Sequence, residues 1–373
     1  MRKTTITAVL ITALLFALLP GGNCPEKKIK AAEHGLSGPR VKNEIVTWDC
    51  IYFGSYWQND TNKSGKTDKK DRKEPIKWRV LSVDGDDAFL LADKVLDNQQ
   101  YNSDVYTDEL GNEIAKDTTW ETCTLRNWLN SSFYQDAFSE EEQNAIMTTT
   151  VVNDDNPKYK TRGGNTTMDK VYLLSLTEVK NPDYGFLHER TKTDTRKVEE
   201  TAYATEKLKH NYAGGDNDWW LRSPGSSANK AVTIDYYGKI WHTEDTVKSW
   251  EYSVRPVLHL NLASGVWKKA GQVSAIRTSP SKVEKLRIVK KSAGSVTLTW
   301  KKMPDVTGYQ ICYYIPSRDK YKDGKEKKKL IKKNRNRISI KRVKRKNCRI
   351  FVRAYRQTGK QRRYGAYSNT VKV

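Results

Sequence analysis

The chain of 373 residues is long enough for two hydrophobic cores and too long for one of ordinary size. Hydrophobic residues at 37% with a single apolar run exclude a polytopic membrane protein, and 11 Trp, 20 Tyr and 7 Phe exclude wholesale disorder. The net charge of +23 is divided unevenly: from Val273 onward there are 31 Lys and Arg against 5 Asp and Glu, whereas the preceding part has 36 against 39. A partner recognised through charge is therefore a partner of the C-terminal part alone.

Residues 1–32 have the pattern of a secretion signal: Arg2 and Lys3, an apolar run from Ile6 to Leu19, then Pro20-Gly21-Gly22. The run is too short for a spanning helix, which needs roughly 20 residues. Export is expected, with cleavage between Gly22 and Glu33 or, as the alternative, an uncleaved anchor. Cys24 points to a lipoprotein, but Asn23 stands where a small residue is expected. Cys50, Cys123, Cys312 and Cys348 are left for the folded part, with room for two disulfides or for four buried thiols. No CxxC pair occurs and the five histidines are scattered, so no zinc site is expected.

Residues 45–58 and 76–93 are rich in β-branched and aromatic residues, and Asp84-Gly85-Asp86 predicts a hairpin within the second segment. Thr118 with Glu121 predicts a helix cap, and Ser139 with Glu142 a second one. Residues 171–176 read as a strand, and 181–218 as a polar loop. Trp219-Trp220-Leu221-Arg222-Ser223-Pro224 and Val254-Arg255-Pro256 close a domain spanning 40–265. A linker, 266–281, leads to residues 282–373, where short strands recur without helices, as in a β-sandwich.

Three stretches carry chemistry. Residues 226–252 set Tyr236, Tyr237, Trp241, His242, Trp250 and Tyr252 among Gly, Ser, Asn and Asp, a composition suited to a ligand-contacting loop and equally to a hairpin turning at Asp235–Gly238. Asp60, Asn62, Ser64, Lys66, Asp68 and Asp71 have the spacing of an oxygen-ligand calcium loop, with Gly65 at the turn. Against calcium stand the lysines inside the loop and the lack of flanking helices; a solvated hairpin loop is the other reading. The third stretch is basic: Lys327, Lys328, Lys329, Lys332, Lys333, Lys341, Arg342, Lys344, Arg345 and Lys346 form a patch for polyanions. Export directs that patch toward cell-envelope polyanions and away from nucleic acid. Arg222 and Arg255 read as structural ion-pairing residues more than as anion ligands.

Residues 282–373 resemble a fibronectin type III domain, on Trp300, Tyr309 and Phe351-Val352-Arg353-Ala354-Tyr355, although Cys348 stands where that family places a tyrosine. The N-terminal domain resembles a group of secreted bacterial proteins, domain-of-unknown-function family 6273. The residues that carry this likeness are Phe53-Gly54-Ser55-Tyr56, Glu74 through Leu81, Thr119 through Arg126, Trp220 through Ser223 and Val254-Arg255-Pro256. The closing pattern is also similar to C-type-lectin-like folds, including the formylglycine-generating-enzyme branch. These resemblances imply an α+β C-type-lectin-like domain followed by an all-β fibronectin type III sandwich. Formylglycine-type oxidation would need a cysteine pair that residues 124–311 lack, and no carboxylate pair stands out for glycoside hydrolysis. The expected function is an exported or cell-surface binding protein, not an enzyme, with an unknown glycan or protein ligand; a structural spacer is the alternative.

Overall fold

The computed structural model describes residues 34–373 except 105, 108, 111–112, 115–116, 212–217, 243–245, 293, 316–324 and 342–347. The signal segment and Arg342, Lys344, Arg345 and Lys346 thus lie outside the described residues. Strands hold 42% of the described residues and helices 12%, so the described part of the protein is predominantly β. No described helix is long and apolar enough to cross a membrane.

Alternation builds the first sheet. In Ile45–Tyr56, Val46, Trp48 and Cys50 point inward, as a pleated strand with one buried face requires. This strand pairs antiparallel with Glu74–Asp84, which turns at the expected Asp84–Asp87 hairpin into Asp87–Ala92. Val257–Asn261 lies against Asp87–Ala92, and Val171–Tyr172 against Val257–Asn261. A bulge in Ile45–Tyr56 places Gly54 at φ 68°, where a Cβ would lie 2.5 Å from the Phe138 ring; only glycine fits.

A second sheet runs in the order Ile240–Trp241, Ala231–Ile234, Trp219–Pro224, Ser253–Val254, Asp97–Asn98. Trp219–Pro224 is buried at every position, so both faces are covered. The two sheets share one core that includes Trp48, Trp78, Trp120, Trp219 and Trp220.

The helices correct the sequence reading in two places. Thr118 is buried and its N–H donates to the Ala228 carbonyl; the helix starts later, at Thr124, and the Cys123 sulfur caps it by accepting from the Arg126 N–H. The Ser139–Glu142 capping box is present at Glu140–Ala145, and Glu142 also accepts from Gly54 N–H. Residues 202–211, inside the segment read as a loop, form the helix Ala202–Asn211, with the Thr201 hydroxyl accepting from Ala204 N–H.

Residues 268–276, inside the segment read as a linker, are a strand instead. Lys268–Ile276 pairs with Ile45–Tyr56 from Ile276↔Ile45 to Lys268↔Tyr52. Its partner lies more than two hundred residues upstream, which is why local composition does not disclose it.

From Val283 a separate core forms between two sheets. One is Arg287–Ser292, Ser295–Thr299, Arg337–Lys341; the other is Lys325–Ile331, Gly308–Ile315, Arg349–Thr358, Gln361–Tyr364, with Val371–Lys372 on Arg349–Thr358. Trp300 and Tyr309 meet edge to face at 5.0 Å in this core. It is seated against the first core by polar contacts. Arg363 forks onto Asp194 at 2.6 and 2.7 Å, Arg356 donates to Thr278 O at 2.8 Å, and Glu44 takes Arg277 and Thr278 at 3.0 Å.

Cys50, Cys123, Cys312 and Cys348 are all buried and free. Burial pushes the Cys50 thiol up to about 11 and Cys123 up to about 12, which removes the reactive thiolate at neutral pH. A disulfide-exchange reagent is therefore expected to label none of these four in the native chain and all four in denaturant; labelling of any in native protein contradicts this placement.

Candidate functional site

The two arginines of the closing words are structural. Arg222 bonds Glu178 and the Leu173 carbonyl, and lies over the Tyr172 ring. Arg255 is fully buried, donates to the Ala92 carbonyl and lies 5.0 Å from the Trp219 ring. The word around Trp120 has a similar role: Trp120 Nε1 (2.9 Å) and Arg126 Nε (2.6 Å) both donate to buried Asp169, whose Oδ2 also accepts from Thr167.

The aromatic stretch divides. Asp235–Gly238 is a hairpin turn, and Tyr236 and Tyr237 stand at its tip, 40% and 38% exposed, with ring centroids 3.8 Å apart. Lys192 Nζ lies 3.5 Å from the Tyr237 centroid. Trp241, half-buried, donates to Asp235 and carries Lys239 over its ring. His242 and Tyr252 do not belong to a ligand-facing surface. Tyr252 is 3% exposed and packs against Trp220 at 4.3 Å, because its strand neighbour Ser253 enters the second sheet. His242 is 2% exposed, and its Nδ1 lies 3.1 Å from Asn156 Nδ2. Burial, together with Arg190, Lys158 and Lys180, pushes its imidazole down to about 4, so it is neutral in the fold.

The calcium-like loop is organised around its own amides. Asp60 accepts from Ser64 and Gly65 N–H (2.9 and 2.7 Å), and Asn62 also accepts from Ser64 N–H. Buried Asp71 accepts from Thr61, Asn62 and Asp68 N–H, and Asp68 from Lys70 N–H. The amide bonds to Asp71 hold it below the usual carboxylate range. Ser64 Oγ donates to the Lys66 carbonyl, which is thereby used inside the loop. Among the described residues no three His, Cys, Asp or Glu side chains converge as a metal group. Asx-type turns explain the same spacing without a cation.

That stiffened loop forms one wall of a cleft of about 650 Å³, lined by residues 66–70, Gln99, Tyr203, Glu206, Lys207 and Trp250. The helix Ala202–Asn211 gives the opposite wall: Tyr203, Glu206 and Lys207 share a face at i, i+3 and i+4. Buried Asp97, outside the lining itself, accepts from Tyr56 Oη (2.7 Å), Gln99 Nε2 (3.2 Å) and Lys207, so one carboxylate positions two lining side chains. Asn98 Nδ2 holds the Trp250 carbonyl at 2.8 Å. Trp250 was visible in the sequence; Gln99, Tyr203, Glu206 and Lys207 were not. The i, i+3, i+4 spacing in 203–207 was the one signal that would have placed three of them together.

The basic stretch lies on an edge. Among the described residues Lys325–Ile331 pairs only with Gly308–Ile315; Lys327, Lys328 and Lys329 are exposed on it, and Lys332 and Lys333 are exposed just beyond its end. Lys341 is exposed at the end of Arg337–Lys341, one of the two outer strands of the other sheet among the described residues. Of these, Lys328 pairs with Glu326 at 3.2 Å.

The architecture is thus a large β-rich domain with a polar and aromatic cleft, followed by a lysine-edged β-sandwich. The family model for Domain of unknown function (DUF6273) matches residues 85–262. No curated protein matches the chain. Over 26% of its length the chain is similar to several solved structures. The third fibronectin III domain of human KIAA0343 protein matches at 14% identity, 82% of that chain and TM-score 0.23. The FN3 domain of human collagen XX matches at 14% identity, 99% and 0.19. The fibronectin type-III domain of human fibronectin type III domain containing protein 3 matches at 19% identity, 85% and 0.21.

Proposed function

We propose that this is an exported surface-binding protein, not an enzyme. Its basic C-terminal sandwich attaches to the anionic polymers of a cell envelope, and its N-terminal domain, of C-type-lectin-like type, presents a recognition surface for a glycan or protein. The observation that carries this reading is the row of exposed lysines on Lys325–Ile331 and its continuation through Lys332 and Lys333. Lysine on an edge strand also blocks edge-to-edge aggregation. That role alone would be met by one or two lysines, whereas this part of the chain carries 31 basic residues against 5 acidic. The apolar run Ile6–Leu19 supports export.

The test is co-sedimentation of the chain with purified cell envelopes across a salt series. Binding is expected at about 0.05 M salt and release by about 1 M, where the screening length falls to about 3 Å. Replacing Lys327, Lys329, Lys332 and Lys333 together by Glu is expected to abolish binding at every salt concentration. Retained binding by that variant, or no binding of the unchanged chain at low salt, would exclude electrostatic attachment through this edge.

A further inference from the structure

We propose that the cleft between residues 66–70 and the helix Ala202–Asn211 is a saccharide-binding site, with Trp250 as its stacking platform. This rests on the recognition role proposed above, and it moves recognition away from the Tyr236–Tyr237 hairpin tip to a cleft on another part of the domain.

Four observations carry it. First, the cleft is concave and, at about 650 Å³, falls in the roughly 300–1,000 Å³ range of small-molecule sites. The hairpin tip instead projects two exposed rings that stack on each other and on Lys192. Second, its walls combine aromatic surface from Trp250 and Tyr203 with side-chain acceptors (Asp68, Glu206, the Gln99 carbonyl) and donors (Lys66, Lys70). A sugar ring needs this combination: an apolar face of C–H groups, and adjacent hydroxyls that each donate and accept.

Third, the charges around the cleft nearly cancel. Lys207 is neutralised by buried Asp97 and Lys69 by Asp136 at 3.1 Å, leaving Lys66 and Lys70 against Asp68 and Glu206. An uncharged or weakly charged saccharide therefore fits better than a polyanion, which separates this site from the lysine edge of the sandwich. Fourth, the lining is held before any ligand arrives. Asp97 fixes Gln99 and Lys207, Asp60 and Asp71 bind the amides of the loop, and Asn98 holds the backbone of Trp250. Such prior ordering lowers the entropic cost of binding. On this reading, the acidic spacing at 60–71 serves to stiffen the rim of the cleft.

The experiment titrates the full chain, by calorimetry, with uncharged tetrasaccharides: N-acetylchitotetraose, cellotetraose and maltotetraose. Tetragalacturonate is the charged comparison. At least one uncharged probe is expected to bind. Trp250→Ala should weaken it by about 10-fold or more, as removal of an aromatic anchor does, and Gln99→Ala should weaken it less. A Tyr236→Ala, Tyr237→Ala double variant should bind like the unchanged chain. Circular dichroism on each variant separates lost binding from lost folding. No binding of any uncharged probe at about 5 mM, weaker than ordinary recognition, overturns the proposal. So does unchanged affinity in folded W250A, or loss of affinity in the hairpin variant alone. Envelope sedimentation keeps the two readings apart: an unchanged chain that sediments in the salt-dependent way but binds no uncharged probe overturns the cleft and leaves attachment standing, whereas a W250A chain that sediments normally while losing saccharide supports both.

Discussion

Arg196→Ala is expected to destabilise the N-terminal domain by about 3–5 kcal/mol, the cost of breaking a buried charged network. Arg196 is fully buried, and among the described residues no carboxylate pairs with it. Its guanidinium instead donates to four backbone carbonyls: Gly238 (2.8 Å), Leu187 (2.7 Å), Glu189 (2.9 Å) and Thr191 (2.6 Å). Burial pushes its pKa down to about 10, still well above neutrality, so it is charged in the fold. Truncation leaves four carbonyls without this donor, the Gly238 carbonyl buried and the other three part-buried, and each buried acceptor left unpaired costs about 1–3 kcal/mol before relaxation. The loop it gathers has no regular structure of its own, and Gly238 must come so close that a Cβ would lie 2.1 Å from the Thr193 carbonyl. Arg196→Lys should recover a minor part of the loss, since an ammonium cannot span the same fork. Urea unfolding followed by tryptophan fluorescence reads the effect. A midpoint for R196A within error of the unchanged protein would refute the assignment.

The second large effect is on pH dependence. His242 is pushed down to about 4 in the fold and has an ordinary value near 6.5 when the chain unfolds. Between those values the unfolded chain takes up a proton that the folded chain refuses, so stability falls as the pH is lowered and levels off below about 4. At about 1.4 kcal/mol per pH unit, the loss from this residue reaches about 3 kcal/mol. Glu44, Asp49 and Asp93 are held below the ordinary carboxylate range, so their contributions are lost in a more acidic window. His242→Asn should therefore flatten the stability profile between pH 6.5 and 4.5 while leaving the steeper acid limb in place. Urea midpoints at those two pH values for both proteins measure it, and parallel profiles would rule out the buried histidine as the cause.

Much of the scaffold was legible because its signals are local. Alternation marked Ile45–Tyr56, the Asp-Gly-Asp turn marked the first hairpin, and Ser139 with Glu142 marked a helix start. Elements formed by distant partners were hidden. Lys268–Ile276 has little alternation of burial and exists because Ile45–Tyr56 offers it an edge. Thr118 and Glu121 match a capping pattern, but Thr118 is drawn under the chain at Ala228, leaving the cap to Cys123. The candidate site was legible only in residue type. Aromatic enrichment pointed to 236–252, but which rings face solvent depends on strand register in the second sheet, and register placed Tyr252 and His242 inside. Likewise, ligand-type spacing at 60–71 cannot distinguish carboxylates that surround a cation from carboxylates that bind their own loop's amides.

If the lysine edge and the cleft bind as proposed, the seating of the sandwich on the first domain, through Arg363 on Asp194 and Arg356 on Thr278, determines how those two contacts combine. A flexible tether lets a second contact form over a wide range of separations, and its effective concentration falls with tether length. Here the stretch after Val257–Asn261 is used as a strand, and the second core is clamped by ion pairing, so the described residues form one compact unit. The distance from the cleft to the lysine edge is thereby set by the fold, and little slack remains to search. A surface whose binding groups repeat at the matching separation would gain avidity from both at once. One with the same chemistry at another spacing would be held by a single contact, so the clamp acts as a ruler.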